Sequence, residues 1–81
     1  MKATERFTVS DEWKITWDTR PGEYGEMNFQ IFIYDTSRQL TGLAANVIGA
    51  SRDESYQYQA GTFYLEINTA QPYKISIWDC R

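Results

Sequence analysis

The chain has 81 residues, 42% hydrophobic and 16% aromatic, with eight basic against eleven acidic side chains and no histidine. That length makes one domain, and three Trp, six Tyr and four Phe supply a core dense enough to exclude disorder. The cations are scattered singly along an acidic chain, and no apolar run approaches the roughly 20 residues that span a bilayer. Neither nucleic acid, which demands clustered positive charge, nor membrane insertion is expected.

The first strand signal is Arg6-Phe7-Thr8-Val9, ended by a Ser10-Asp11-Glu12 turn. Trp13-Lys14-Ile15-Thr16-Trp17-Asp18 then alternates apolar and polar residues as a half-buried strand does. Arg20-Pro21-Gly22 and Tyr24-Gly25 form a longer loop, since Pro fixes φ and Gly accepts positive φ. Asn28 to Tyr34 is apolar on both faces near its end and reads as a central or covered strand. Asp35-Thr36-Ser37-Arg38 has the composition of a type I turn.

Gln39 to Ser51 carries two signals. Leu40, Leu43, Ala44, Val47 and Ile48 fit one face of a short helix, whereas Val-Ile and the β character of the rest favour a strand, which is the preferred reading. Ser55 to Gln59 alternates Tyr with polar residues. Ala60-Gly61 reads as a tight hairpin into Phe63-Tyr64-Leu65-Glu66-Ile67. Asn68 to Pro72 leads to Tyr73-Lys74-Ile75-Ser76-Ile77.

About seven short strands with turn signals every 8–12 residues predict an all-β, compact antiparallel sandwich of jelly-roll type, occupying residues 1–81 as one domain. Its expected core is Phe7, Val9, Trp13, Ile15, Trp17, Phe29, Ile31, Ile33, Phe63, Leu65, Ile67, Tyr73, Ile75 and Ile77.

The chemistry open to this chain is narrow. Without histidine there is no His general base, no His-containing triad and no His-ligated metal. One cysteine, Cys80, makes neither an internal disulfide nor a thiolate zinc site. No phosphate-binding glycine loop opens a helix, and no serine lies in a nucleophile elbow. The acidic pairs Asp11/Glu12, Glu23/Glu26 and Asp53/Glu54 read as solvated loop residues. Asp11, Glu12, Asp53 and Glu54 could hold structural calcium only if their loops converged at one end. A non-enzymatic domain without a cofactor is the expectation.

What stands out is aromatic. If Ile31 and Ile33 point inward, Phe32 and Tyr34 point outward; by the same alternation Tyr64 and Trp78 face solvent. Adjoining strands would join these four rings into one platform, which Tyr56 and Tyr58 could extend. Such a patch suits a protein partner or self-association. With Gln30, Gln57, Gln59 and Glu66 beside it, it also suits a carbohydrate. Cross-strand aromatic pairing that only stabilises a sheet is the competing explanation.

Three stretches, Phe7-Thr-Val through Trp13-Lys-Ile-Thr-Trp17, Phe29-Gln-Ile-Phe-Ile-Tyr34, and Gly61-Thr-Phe-Tyr-Leu-Glu-Ile67 followed by Tyr73-Lys-Ile-Ser-Ile77, resemble small β-sandwich modules of bacterial envelope proteins and lipoproteins. The last pair also resembles the ending of peptidase pre-C-terminal domains and CUB-like jelly rolls. The resemblance implies an accessory, non-catalytic module outside the cytoplasm and transfers no functional residue. Lys2 is followed by polar residues rather than by a signal sequence. Two localisations therefore stay open: cytoplasmic as written, or extracytoplasmic after trimming of a signal or anchor.

Overall fold

The computed structural model describes residues 2–79; Cys80, considered above, lies outside them. Among the described residues every regular element is a strand: β1 Lys2–Ala3, β2 Phe7–Val9, β3 Trp13–Thr19, β4 Asn28–Asp35, β5 Leu40–Ile48, β6 Ser51–Gln57, β7 Gly61–Thr69 and β8 Tyr73–Asp79. They form two antiparallel sheets. In the five-stranded sheet the order is β1-β7-β4-β5, with β2 pairing further along β7; in the three-stranded sheet it is β6-β3-β8. The chain is therefore the all-β sandwich that its alternation predicts, with the two-residue β1 as an additional strand.

Alternation decides what each strand buries. In β3, Trp13, Ile15, Trp17 and Thr19 face inward and are buried, while Lys14, Thr16 and Asp18 are half-exposed between them. Phe29, Ile31 and Ile33 of β4 meet Phe63, Leu65 and Ile67 of β7 to form the other half of the core. Ala45 joins this core, whereas Phe7, Tyr73, Ile75 and Ile77, expected inside, are only partly buried at its margin. The reason is position: β2 and β8 both lie at sheet edges, where one flank of each side chain has no neighbouring strand to cover it.

Each end of the sandwich is closed differently. At one end Trp13 lies 5.3 Å from Phe7, edge to face, and 5.4 Å from Phe63, nearly stacked. Its indole N–H donates to the Gln59 carbonyl at 2.9 Å. At the other end Gln71, only 3% exposed, joins three loops. Its Oε1 accepts the Met27 N–H at 2.9 Å, and its Nε2 donates to Thr19 Oγ1 and to the Gly49 carbonyl, each at 3.0 Å. Gly49, with φ 82°, carries the chain from β5 of one sheet to β6 of the other. A Cβ there would collide with the Glu26 carboxylate.

Three expectations about connections are corrected. Ala60-Gly61 is not a hairpin, because β6 and β7 belong to different sheets. The strand read as Ser55–Gln59 runs instead from Ser51 to Gln57. Asp53 and Glu54 are thereby strand residues, paired with Trp17 and Thr16, not loop acids. They alternate sides on β6 and cannot converge with Asp11 and Glu12 as a calcium site would require. Among the described residues no group of three His, Cys, Asp or Glu is placed to hold a metal ion.

The segment from Leu40 to Ile48 is a strand, and its helix-like spacing has a structural cause. Pairing with β4 slips between Ile31 and Phe32 and again between Ile33 and Tyr34, so that Ala44 and Thr41 are the extra residues of two bulges. A bulge resets the alternation. Leu43 thus falls opposite Phe32 and Leu40 opposite Tyr34, both on the outer face although they are three residues apart.

Candidate functional site

The two outer sheet faces carry the aromatic residues singled out in the sequence, and they divide them. Phe32 and Tyr34 on β4 and Tyr64 on β7 share the outer face of the five-stranded sheet. Trp78 on β8 and Tyr56 on β6 share the outer face of the three-stranded sheet, where both pair with Lys14. Tyr58 lies beyond the end of β6 and is largely exposed. The single platform is therefore corrected to two separate surfaces, because β8 never adjoins β4 or β7.

On the five-stranded sheet the side chains fall into three cross-strand rows. Tyr64, Tyr34 and Leu40 form the first; Glu66, Phe32 and Leu43 the second; Asn68, Gln30 and Asn46 the third. Tyr34 and Tyr64 stack with centroids 5.5 Å apart and planes within 13°. Leu40 and Leu43 are 57% and 51% exposed, while Phe32, Tyr34 and Tyr64 are half-buried. The third row closes on itself: Asn68 Nδ2 donates to Gln30 Oε1 at 2.9 Å, and Gln30 Nε2 to Asn46 Oδ1 at 3.3 Å. The result is an apolar area of three rings and two leucines, bounded on one side by an amide ladder.

The turn after β4 sits at the corner of this area. Asp35 Oδ1 accepts the N–H groups of Ser37 and Gln39 at 2.8 and 3.0 Å, and the Arg38 N–H reaches the Asp35 carbonyl at 3.1 Å. This forces Arg38 to φ 62°, a left-handed conformation that costs a residue with a Cβ about 1–2 kcal/mol. Arg38 and Arg6, which lies in the break between β1 and β2, flank Tyr64 and Glu66 around a hollow of about 340 Å³.

The outer face of the three-stranded sheet is built otherwise. Its rows are Tyr56, Lys14 and Trp78; Glu54, Thr16 and Ser76; Arg52, Asp18 and Lys74. Lys14 Nζ is 3.6 Å from Glu54 and 5.6 Å from the centre of the Tyr56 ring. Arg20 Nε is 3.8 Å from Asp18. The Trp78 indole, 55% exposed, crosses toward β3 and donates to Thr16 Oγ1 at 3.4 Å. Lys14, Thr16, Asp18, Glu54, Lys74 and Trp78 are among the residues lining a shallow groove of about 700 Å³.

Sequence reasoning grouped Phe32, Tyr34 and Tyr64, which do share this face, and did not group Leu40, Leu43, Arg6 and Arg38 with them. The leucines were hidden by the bulges; their three-residue spacing was the signal, but it has the period of a helix. Arg6 and Arg38 are brought together only by the pairing of the strands between them. Comparison with protein-family models, with curated proteins and with solved structures finds no match to this chain.

Proposed function

We propose that this chain is a non-catalytic interaction module that holds a protein partner on the outer face of its five-stranded sheet. Phe32, Tyr34, Tyr64, Leu40 and Leu43 are the contact residues. The observation that carries this reading is the continuity of that apolar area: two half-exposed leucines extend three rings without an intervening charge except Glu66. Contiguous apolar surface rimmed by polar groups is characteristic of interaction sites, and aromatic residues dominate the energetics of such contacts. A module without catalysis is consistent with a sequence that lacks histidine and with carboxylates spread over separate strands and turns.

The test is a photo-reactive benzoylphenylalanine placed at position 32, compared with one at position 54 on the opposite sheet, in cells that express the protein natively. A discrete adduct from position 32 that disappears with Tyr64→Glu, with none from position 54, supports the reading. An adduct of twice the chain mass would identify the partner as a second copy. The same pattern from both positions, or none from either, overturns it.

A saccharide on the three-stranded sheet is the second reading, favoured by Trp78. Its indole is held by Thr16 with the Ser76 hydroxyl in the neighbouring row, so a ring face is available for stacking beside hydroxyl and carboxylate partners. Titration with soluble cell-wall and plant polysaccharides, followed by tryptophan fluorescence, tests it. A saturable change lost in Trp78→Ala supports a sugar site, and a flat response across the panel removes it.

A further inference from the structure

We infer that Arg6 and Arg38 form an anion-binding corner on the aromatic face, and that the partner segment docked there is an acidic, apolar peptide in extended form. The inference rests on the reading of that face as a protein-docking surface and specifies the chemistry of its occupant.

Charge placement is the first argument. The protein has a net charge of −3 and singly scattered cations, yet two arginines, 32 positions apart in the chain, line one hollow with Tyr64. The ion pairs among the described residues join Lys14 to Glu54 and Arg20 to Asp18, and neither uses Arg6 or Arg38. Three nearby carboxylates bear on the charge of the corner. Asp35 directs its Oδ1 at the Ser37 and Gln39 N–H groups. Glu66 lines the hollow itself, whereas Asp35 and Glu5, next to Arg6 in the chain, do not, so the lining sets two cations against one carboxylate. Arg presents a planar fork of donors that matches a carboxylate in a bidentate pair.

Backbone strain at Arg38 is the second argument, independent of the first. Among the described residues it is the one non-glycine residue with positive φ. In hairpins whose type I turn is followed by a left-handed residue, that position belongs to Gly, and Asn tolerates it next best. The turn is already satisfied by Asp35, so nothing in the backbone requires arginine. Strain retained against local preference accompanies functional positions, and here the retained residue is an arginine that lines the hollow beside Tyr64 and Glu66.

The corner and the apolar area fit one ligand. It adjoins the Tyr34–Tyr64 stack, with Phe32 and Leu43 one row further. Same-face side chains of an extended peptide are about 7 Å apart. A glutamate seated between Arg6 and Arg38 therefore places the next same-face side chain over the rings.

Nitrogen-15-labelled full-length chain titrated with a capped peptide alternating Glu and Phe, and with the same peptide carrying Lys for Glu, tests the proposal. The expected result is saturable movement of the Arg6 and Arg38 side-chain Nε–H signals together with the Phe32 and Tyr64 amides. Affinity for the Glu peptide should exceed that for the Lys peptide at least tenfold. Arg38→Gly should reduce Glu-peptide affinity about tenfold while its Tm is unchanged or raised by up to about 4 °C, because glycine relieves the strain. Arg38→Asn and Arg6→Gln should weaken binding in the same direction and cover the case of a poorly folding glycine variant. Equal binding of the two peptides at Phe32, Tyr34 and Tyr64, or undiminished binding by both Arg38 variants, overturns the anion corner and leaves the docking face standing. No movement on this face with either peptide overturns both.

Discussion

The two outer faces of the sandwich are alike in being turned to solvent and opposite in how they meet it. On β6-β3-β8 the charged side chains largely answer one another: Lys14 lies between Glu54 and Tyr56, and Asp18 pairs with Arg20 in a row with Arg52 and Lys74. On the five-stranded sheet the amide row Asn68–Gln30–Asn46 is likewise self-satisfied, but the rows of Tyr64, Tyr34 and Leu40 and of Phe32 and Leu43 are not. Polar side chains facing water need no further partner, whereas apolar ones retain an unfavourable contact with water that a partner would remove. Partner binding is assigned to the five-stranded face because its apolar side chains adjoin across two rows, whereas the exposed Tyr56 and Trp78 of the other face are separated by Lys14.

That comparison depends on the two sheets being held as one body, and the largest predicted effect breaks this condition. Gln71→Leu keeps the side chain's bulk but removes the acceptor for the Met27 N–H and the donor to the Gly49 carbonyl and Thr19. Each buried group left unpaired costs about 1–3 kcal/mol, so urea denaturation should show a loss of roughly 2–4 kcal/mol. A loss below about 1 kcal/mol would mean that the loops are held without Gln71. In that case the aromatic cluster of Trp13, Phe7 and Phe63 alone would be what locks the sheets.

Gln71 also shows where the sequence was legible and where it was not. The strands β3, β4, β7 and β8 were readable because each has an apolar face against the core and a more polar one outward, which leaves a local period of two. β6 was misplaced because the residues it pairs with Trp13, Ile15, Trp17 and Thr19 are Gln57, Ser55, Asp53 and Ser51. An edge strand can point polar groups inward at its rim, and this erases the period. Sheet membership was not readable at all: Ala60-Gly61 has hairpin composition, yet its flanking strands part to different sheets. For the same reason Trp78 was grouped with Phe32, Tyr34 and Tyr64, and Arg6 was not grouped with Arg38. Gln71 carried no signal, since a glutamine in a loop looks the same whether it is solvated or buried.

The next effect sharpens the contrast between the faces. Tyr64→Ala removes the stack on Tyr34, worth about 0.5–1.5 kcal/mol, along with apolar contact over the sheet. A stability loss of about 1–2 kcal/mol is expected, together with loss of the adduct from position 32. If the variant loses stability but keeps the adduct, the rings are a structural pair and Leu40 and Leu43 carry the contact.

Smaller still is the coupling between Lys14 and Glu54. Both side chains are partly exposed, and pairs of this kind contribute about 0.2–1 kcal/mol. A double-mutant cycle with Lys14→Met and Glu54→Gln should fall in that range at low salt and shrink toward zero at about 1 M salt. The equivalent cycle on Tyr34 and Tyr64 should be nearly indifferent to salt. Two cycles with the same salt dependence would erase the distinction between a charge-built face and a contact-built one.

The smallest expected change in stability is at Trp78, and it is the most informative about independence of the faces. Trp13 and Trp17 are 1% and 6% exposed, so the water-exposed emission of the native protein belongs to Trp78. Trp78→Ala should shift the emission to shorter wavelength, remove most quenching by acrylamide, and cost only about 0.5 kcal/mol, as surface substitutions do. Its indole contacts β3 through Thr16, on the far side of the core from Phe32 and Tyr64, so binding of the Glu–Phe peptide should be unchanged. A fall in peptide affinity in this variant would show that the faces communicate through β3 and the core, and the two surfaces would have to be treated as one site.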